Sequence, residues 1–134
     1  LLLIAIVLSL VQIILGTQVR QFVDEQAQVF LYDKSKWFSE IPSIYKYHRT
    51  FSIAVVLINF SLFYLNLKLS LGNKYLNYLM ILLAVEVFSG VLMFYFDFPF
   101  GTQTIHLVFA SLIFGLQFYI LLNNFLTKKI PNDI

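Results

Sequence analysis

The chain has 134 residues, of which 60% are hydrophobic and only 12% charged, with a mean hydropathy of +0.82; a soluble domain this short needs far more polar surface. It contains no cysteine, which excludes disulfides, thiolate catalysis and cysteine-ligated metals. The formal net charge of +2 comes from scattered basic residues, a pattern that does not suggest nucleic acid, so the expected surroundings are a lipid bilayer.

Four apolar stretches follow in chain order, about residues 1–19, 50–68, 75–96 and 103–126. Each is close to the roughly 20 residues that cross a ~30 Å hydrocarbon core as a helix. The runs are continuous rather than alternating, which argues against a barrel. The expected fold is an all-α membrane protein, a single four-transmembrane-helix bundle spanning 1–134. The chain opens at Leu1 without an initiator Met and is read as trimmed or partial. Its first run lacks the small-residue cleavage pattern of a signal peptide.

The first two spans are separated by an expected outer loop of about 20–47. It carries Phe22, Val23, Phe30, Leu31, Tyr32, Trp37, Phe38 and Ile41, and spacings of three and four predict short helices at headgroup level. Pro42 suits the first turn of a helix, so the second helix is expected to start near it, with Ser43–Arg49 as its projecting end. A turn at Gly72-Asn73 joins helices two and three. Asp97-Phe98-Pro99-Phe100-Gly101 joins three and four. Connections this short make antiparallel neighbours. Lys68, Lys74, Lys128 and Lys129 sit in short segments on one side, which predicts cytoplasmic termini in a cell (inner) membrane, with the long loop outside.

Two histidines are the candidates for chemistry. His48 lies in the outer end of helix two and His106 in the first turn of helix four. Both helices run the same way, so both rings lie at one depth, where two imidazoles from different helices can ligate one heme iron. The alternative at this point is a pair of interfacial histidines with no ligand. Zinc is disfavoured, because two histidines leave too few donors. Arg49 and Arg20 are candidates for heme propionates, since Arg pairs with carboxylates; equally, both could snorkel to lipid phosphates. Glu86 lies mid-span, where a carboxylate must face the bundle interior. It is expected either to serve near a cofactor or to make a structural hydrogen bond to Gln12 or Gln117. Gly16, Gly90, Ala110, Ser111 and Gly115 suit close helix packing, and Gly90 with Ala110 could equally make room for a flat ring.

Helix one ends Gln12-Ile-Ile-Leu-Gly16-Thr-Gln-Val-Arg20, His48-Arg49 opens helix two, and His106 follows Pro99 by seven residues. In order and spacing these features resemble the heme A synthases, over most of the chain. Members of that family consist of two homologous four-helix halves, each with a histidine pair near the outer face. The substrate half carries a glutamate three residues before its first histidine. Tyr45 stands there in this chain, so the resemblance is to the C-terminal half that holds heme b. It implies an oxidoreductase that converts the C8 methyl of heme O to the formyl of heme A, with the substrate-oxidising site outside this half. The implied partners are the N-terminal homologous half or a second copy of the chain, and a heme O synthase. The family's usual glutamine in the third helix is replaced here by Glu86. Two other readings remain open: a four-helix b-type cytochrome for electron transfer, and a heme-free transporter or assembly subunit with Glu86 as its ion site.

Overall fold

The computed structural model describes residues 1–30, 42–96, 98 and 101–128. They form four helices: α1 (Leu2–Val29), α2 (Ser43–Lys68), α3 (Tyr75–Tyr95) and α4 (Thr102–Lys128). All four are long and apolar enough to cross a membrane. In lipid a backbone must satisfy its own hydrogen bonds, and a continuous apolar run does so as a helix. Large apolar side chains such as Leu3, Ile4, Ile53, Leu57, Phe60, Ile81, Phe88 and Leu112 point outward. Exposing such a side chain to water costs roughly 1.5–3 kcal/mol relative to burying it, and a bilayer removes that penalty. The protein is thus a multi-pass, all-α membrane bundle.

One boundary differs from the sequence reading. Helix α1 does not stop near Val19 but runs to Val29. Val19 and Val23 are buried one turn apart and continue the inward stripe of Ala5 and Ser9. Gln21 donates to Glu25 at 3.0 Å and Arg20 pairs with Asp24 at 3.6 Å, both at the i,i+4 spacing that supports a helix. At the other end of the expected loop, α2 begins at Ser43 directly after Pro42. The interfacial helix anticipated around Trp37 and Phe38, together with Pro99 and Lys129, lies outside the described residues.

The turn between α2 and α3 is held by Asn66. Its Oδ1 accepts the backbone N–H of Asn73 at 3.0 Å and its Nδ2 donates to Asn73 O at 3.3 Å. Ser70 (φ 51°) and Gly72 (φ 66°) take left-handed backbone conformations there; only the glycine does so without a Cβ penalty.

Around the bundle, α1 packs on α2 and α4, and α3 on α4 and α2. The two hairpins, α1–α2 and α3–α4, repeat each other. At one constant offset along α1 and α3, Ala5 matches Leu79 and Ser9 matches Leu83, all buried. Val7 and Ile81, like Ile14 and Phe88, face out as the matching residues on the other side. At a second offset along α2 and α4, buried Val55 and Asn59 match buried Ile113 and Gln117, and exposed Phe60 matches exposed Phe118. The equivalent amides meet: Gln117 Nε2 donates to Asn59 Oδ1 at 2.8 Å, and Asn59 Nδ2 donates to Val55 O at 2.8 Å. An approximate two-fold along the bundle axis therefore relates the hairpins, with α2 and α4 facing across it.

Candidate functional site

A cavity of about 390 Å³ lies between the four helices. The apolar side chains of Val55, Leu83 and Ile113 line it, together with Ser9; Asn59 and Gln117 follow about one turn further along α2 and α4.

The two histidines meet across this cavity. His48 on α2 and His106 on α4 have ring centres 6.5 Å apart, with planes at 72°. Each ring leans on a glycine of the neighbouring helix. A Cβ on Gly16 would lie 3.2 Å from His48 Cε1, and one on Gly90 would lie 3.3 Å from His106 Cε1. Gly16 and Gly90 occupy equivalent positions, so one cradle is built twice. A Cβ at either place already requires the imidazole to give by a few tenths of an ångström, and a branched side chain there would displace it.

One turn before each glycine stands a polar residue aimed at the same ring. Gln12 Nε2 donates to the His48 carbonyl at 3.1 Å and lies 3.2 Å from Nδ1 and 3.4 Å from Nε2 of its imidazole. Glu86 Oε1 lies 3.2 Å from His106 Nε2. The expected hydrogen bond from Glu86 to Gln12 or Gln117 is not made. Gln12 belongs to the other histidine and Gln117 is bonded to Asn59. The sequence reading missed Ser89, which is buried and sits 2.8 Å from His106 Nδ1.

The rim is unequal. Arg20 and Arg49 both line the cavity, and both belong to the first hairpin. Their equivalents in the second are Phe94 and Leu107. Arg49 places its guanidinium 5.7 Å from the Phe94 ring centre, and Tyr45 stacks on the same ring at 5.8 Å. Arg20 is held by Asp24, and both side chains are about half exposed. Ala110 lines the cavity one turn beyond His106, at the place where the first hairpin has Ser52.

The donor set fits a heme. The two imidazoles, with ring centres 6.5 Å apart across the cavity, could hold one heme iron between them, and His106 Nε2 would then exchange its present neighbour, Glu86 Oε1 at 3.2 Å, for the iron. Among the described residues no group of three or more His, Cys, Asp or Glu is placed to hold a bare ion. A metal that brings its own equatorial donors needs only the two histidines. Three polar atoms lining the cavity, Ser9 Oγ, Gln12 Oε1 and Glu86 Oε2, are buried with no hydrogen-bond partner. Each such atom costs about 1–3 kcal/mol if left unsatisfied, so the cavity has polar groups to offer a ligand or water.

Fold and site together define a four-helix membrane protein with a pair of histidines facing each other across an internal cavity. Comparisons with family models, curated proteins and solved structures found no match.

Proposed function

We propose that this chain binds one heme b between His48 and His106 and serves as the heme-carrying half of a heme A synthase in a cell (inner) membrane. The 6.5 Å separation of the two rings across the bundle axis supports the heme. The order of Gln12, Gly16, Arg20, His48-Arg49, Pro99 and His106 supports the family. Held by two imidazoles, the heme supplies one-electron transfer. The protein's own residues do the rest. Gly16 and Gly90 admit the rings, Val55, Leu83 and Ile113 exclude water from below, and Arg20 and Arg49 offer paired donors to carboxylates at the rim. Tyr45 stacks on Phe94 and supplies no carboxylate beside His48, which fits the heme b half rather than the substrate half. The substrate oxidation belongs to the homologous half or a second copy of the chain, supplied by a heme O synthase, with the long loop outside and the termini in the cytoplasm.

The test is an absorption spectrum of the detergent-purified chain, oxidised and reduced, followed by extraction of its heme. The proposal expects a low-spin b-type spectrum that His48→Ala and His106→Ala each abolish, and extraction of heme b. A chain that takes up no heme when hemin is added overturns the cofactor. Extraction of heme O or heme A would move this chain to the substrate half.

The contact between Glu86 and His106 favours one other reading, a heme-free carrier in which this pair takes a proton or cation. In that case Glu86→Gln abolishes function and His48→Ala spares it.

A further inference from the structure

The two hairpins enclose the cavity as two walls. His48 of α2 leans on Gly16 of α1, and His106 of α4 leans on Gly90 of α3. Each ring therefore lies against its own hairpin, and the space between the rings is a slot between the walls. Val55, Leu83 and Ile113 close its floor. A flat molecule held in that slot turns its edges to the two seams where the hairpins meet, α1 against α4 and α2 against α3.

The two-fold makes these seams equivalent, so their differences can be read position by position. Helix α1 packs more extensively on α4 than α2 does on α3. In the looser seam, Val87 and Val91 line the cavity and yet are 44% and 46% exposed. They border the cavity on one side and the bilayer on the other. Ile13, the counterpart of Val87, is partly buried. Thr17, the counterpart of Val91, is exposed but lies in the closer seam. Deeper down, Val56 lines the cavity where the α1–α4 seam has the larger Phe114. Ser52 turns its hydroxyl to the Arg49 carbonyl at 2.7 Å, so it presents no unmet donor to the looser seam. Above that seam, Tyr45 and Arg49 both lie against the Phe94 ring and tie α2 to α3. At the equivalent places α4 and α1 have Gln103, Leu107 and Arg20, none of which is aromatic. The α2–α3 seam is thus capped toward water and lined with valine toward lipid.

A largely apolar macrocycle partitions from water into the bilayer, and a valine-lined passage takes it from there to the histidines without returning it to water. Resting on the heme reading above, we infer that the α2–α3 seam is a lateral portal. It admits the macrocycle edge-on from the bilayer past Val56, Val87 and Val91, beneath the cap of Tyr45, Phe94 and Arg49. The closer α1–α4 seam stays shut.

The test uses the full chain in phosphatidylcholine vesicles, with helicity by circular dichroism as the folding control. Hemin is added to the vesicles and the growth of the Soret band is followed in time. Val91→Trp is expected to slow uptake about ten-fold and to leave the final occupancy unchanged, and Val91→Ala to hasten uptake. Thr17→Trp, the same change at the two-fold-related position, is expected to do neither. Uptake slowed as much by Thr17→Trp as by Val91→Trp, or by neither, overturns the portal alone. Should Val91→Trp never fill, Val91→Ala decides: a rate unchanged from the unsubstituted chain overturns the portal, and a faster one upholds it. Failure of the unsubstituted chain to take up heme overturns the heme reading and the portal with it.

Discussion

The first hairpin and the second are built on one plan and dressed differently. Both place a polar residue and then a glycine on the helix running one way, and a histidine on the helix running back. Both turn the same faces to lipid and to core. They differ where a ligand would touch them. The first hairpin carries the charge, Arg20 and Arg49, at the rim. The second carries the serine and carboxylate that grip the imidazole. A scaffold repeated about an axis brings two histidines face to face, and substitutions off the axis give the two rings different neighbours.

The comparison breaks most completely at the glycines. Gly16→Leu and Gly90→Leu are each expected to abolish heme binding, because a Cβ alone already comes within 3.2–3.3 Å of the ring; a spectrum of each purified variant checks this. A loss confined to one of them would show that the cradles are not equivalent. Next in size are the amides across the axis. Asn59→Leu or Gln117→Leu leaves the other amide buried without its partner, at a cost of about 1–3 kcal/mol. The double Leu variant is expected to recover most of it, as read by thermal unfolding in detergent.

Two smaller effects sharpen the contrast. Leu15→Ser gives the first hairpin the hydroxyl it lacks at the place where the second has Ser89, and the ¹⁵N shifts of His48 are then expected to move toward those of His106. At the rim, Arg49→Gln is expected to weaken hemin binding more than Arg20→Gln. Arg49 also rests on Phe94, a contact of about 0.5–1 kcal/mol, whereas Arg20 belongs to an exposed ion pair of a kind that contributes little. Hemin titration of the two variants gives their order.

The four spans were legible because lipid demands long uninterrupted apolar runs, and the start of α2 was legible because Pro42 announces it. The true end of α1 was not. Beyond Val19 the sequence turns polar, and the helix persists through contacts at i,i+4 and the burial of Val23, which hydropathy does not register. His48 and His106 were found because they are the only histidines and fall at one level. Arg20 and Arg49 were singled out as cations near the depth expected of the histidines, and both line the cavity, although α1 runs on past Arg20 to Val29. Glu86 was recognised as out of place, but of its expected roles the hydrogen bond to Gln12 or Gln117 is not made, since packing decides which facing helix it reaches and turns it to His106. Ser89 carried no signal of its own. The repeat that would have exposed it, Gln12 with Gly16 and Glu86 with Gly90, is written in the sequence at one spacing, but only the shared burial pattern shows that the two pairs correspond.

The most direct test of the central claim is the heme-to-chain ratio, measured together with near-infrared magnetic circular dichroism of the oxidised protein. The account predicts one heme per chain with the charge-transfer band of paired imidazole ligands. A different axial pair, or no heme at saturating hemin, would contradict it.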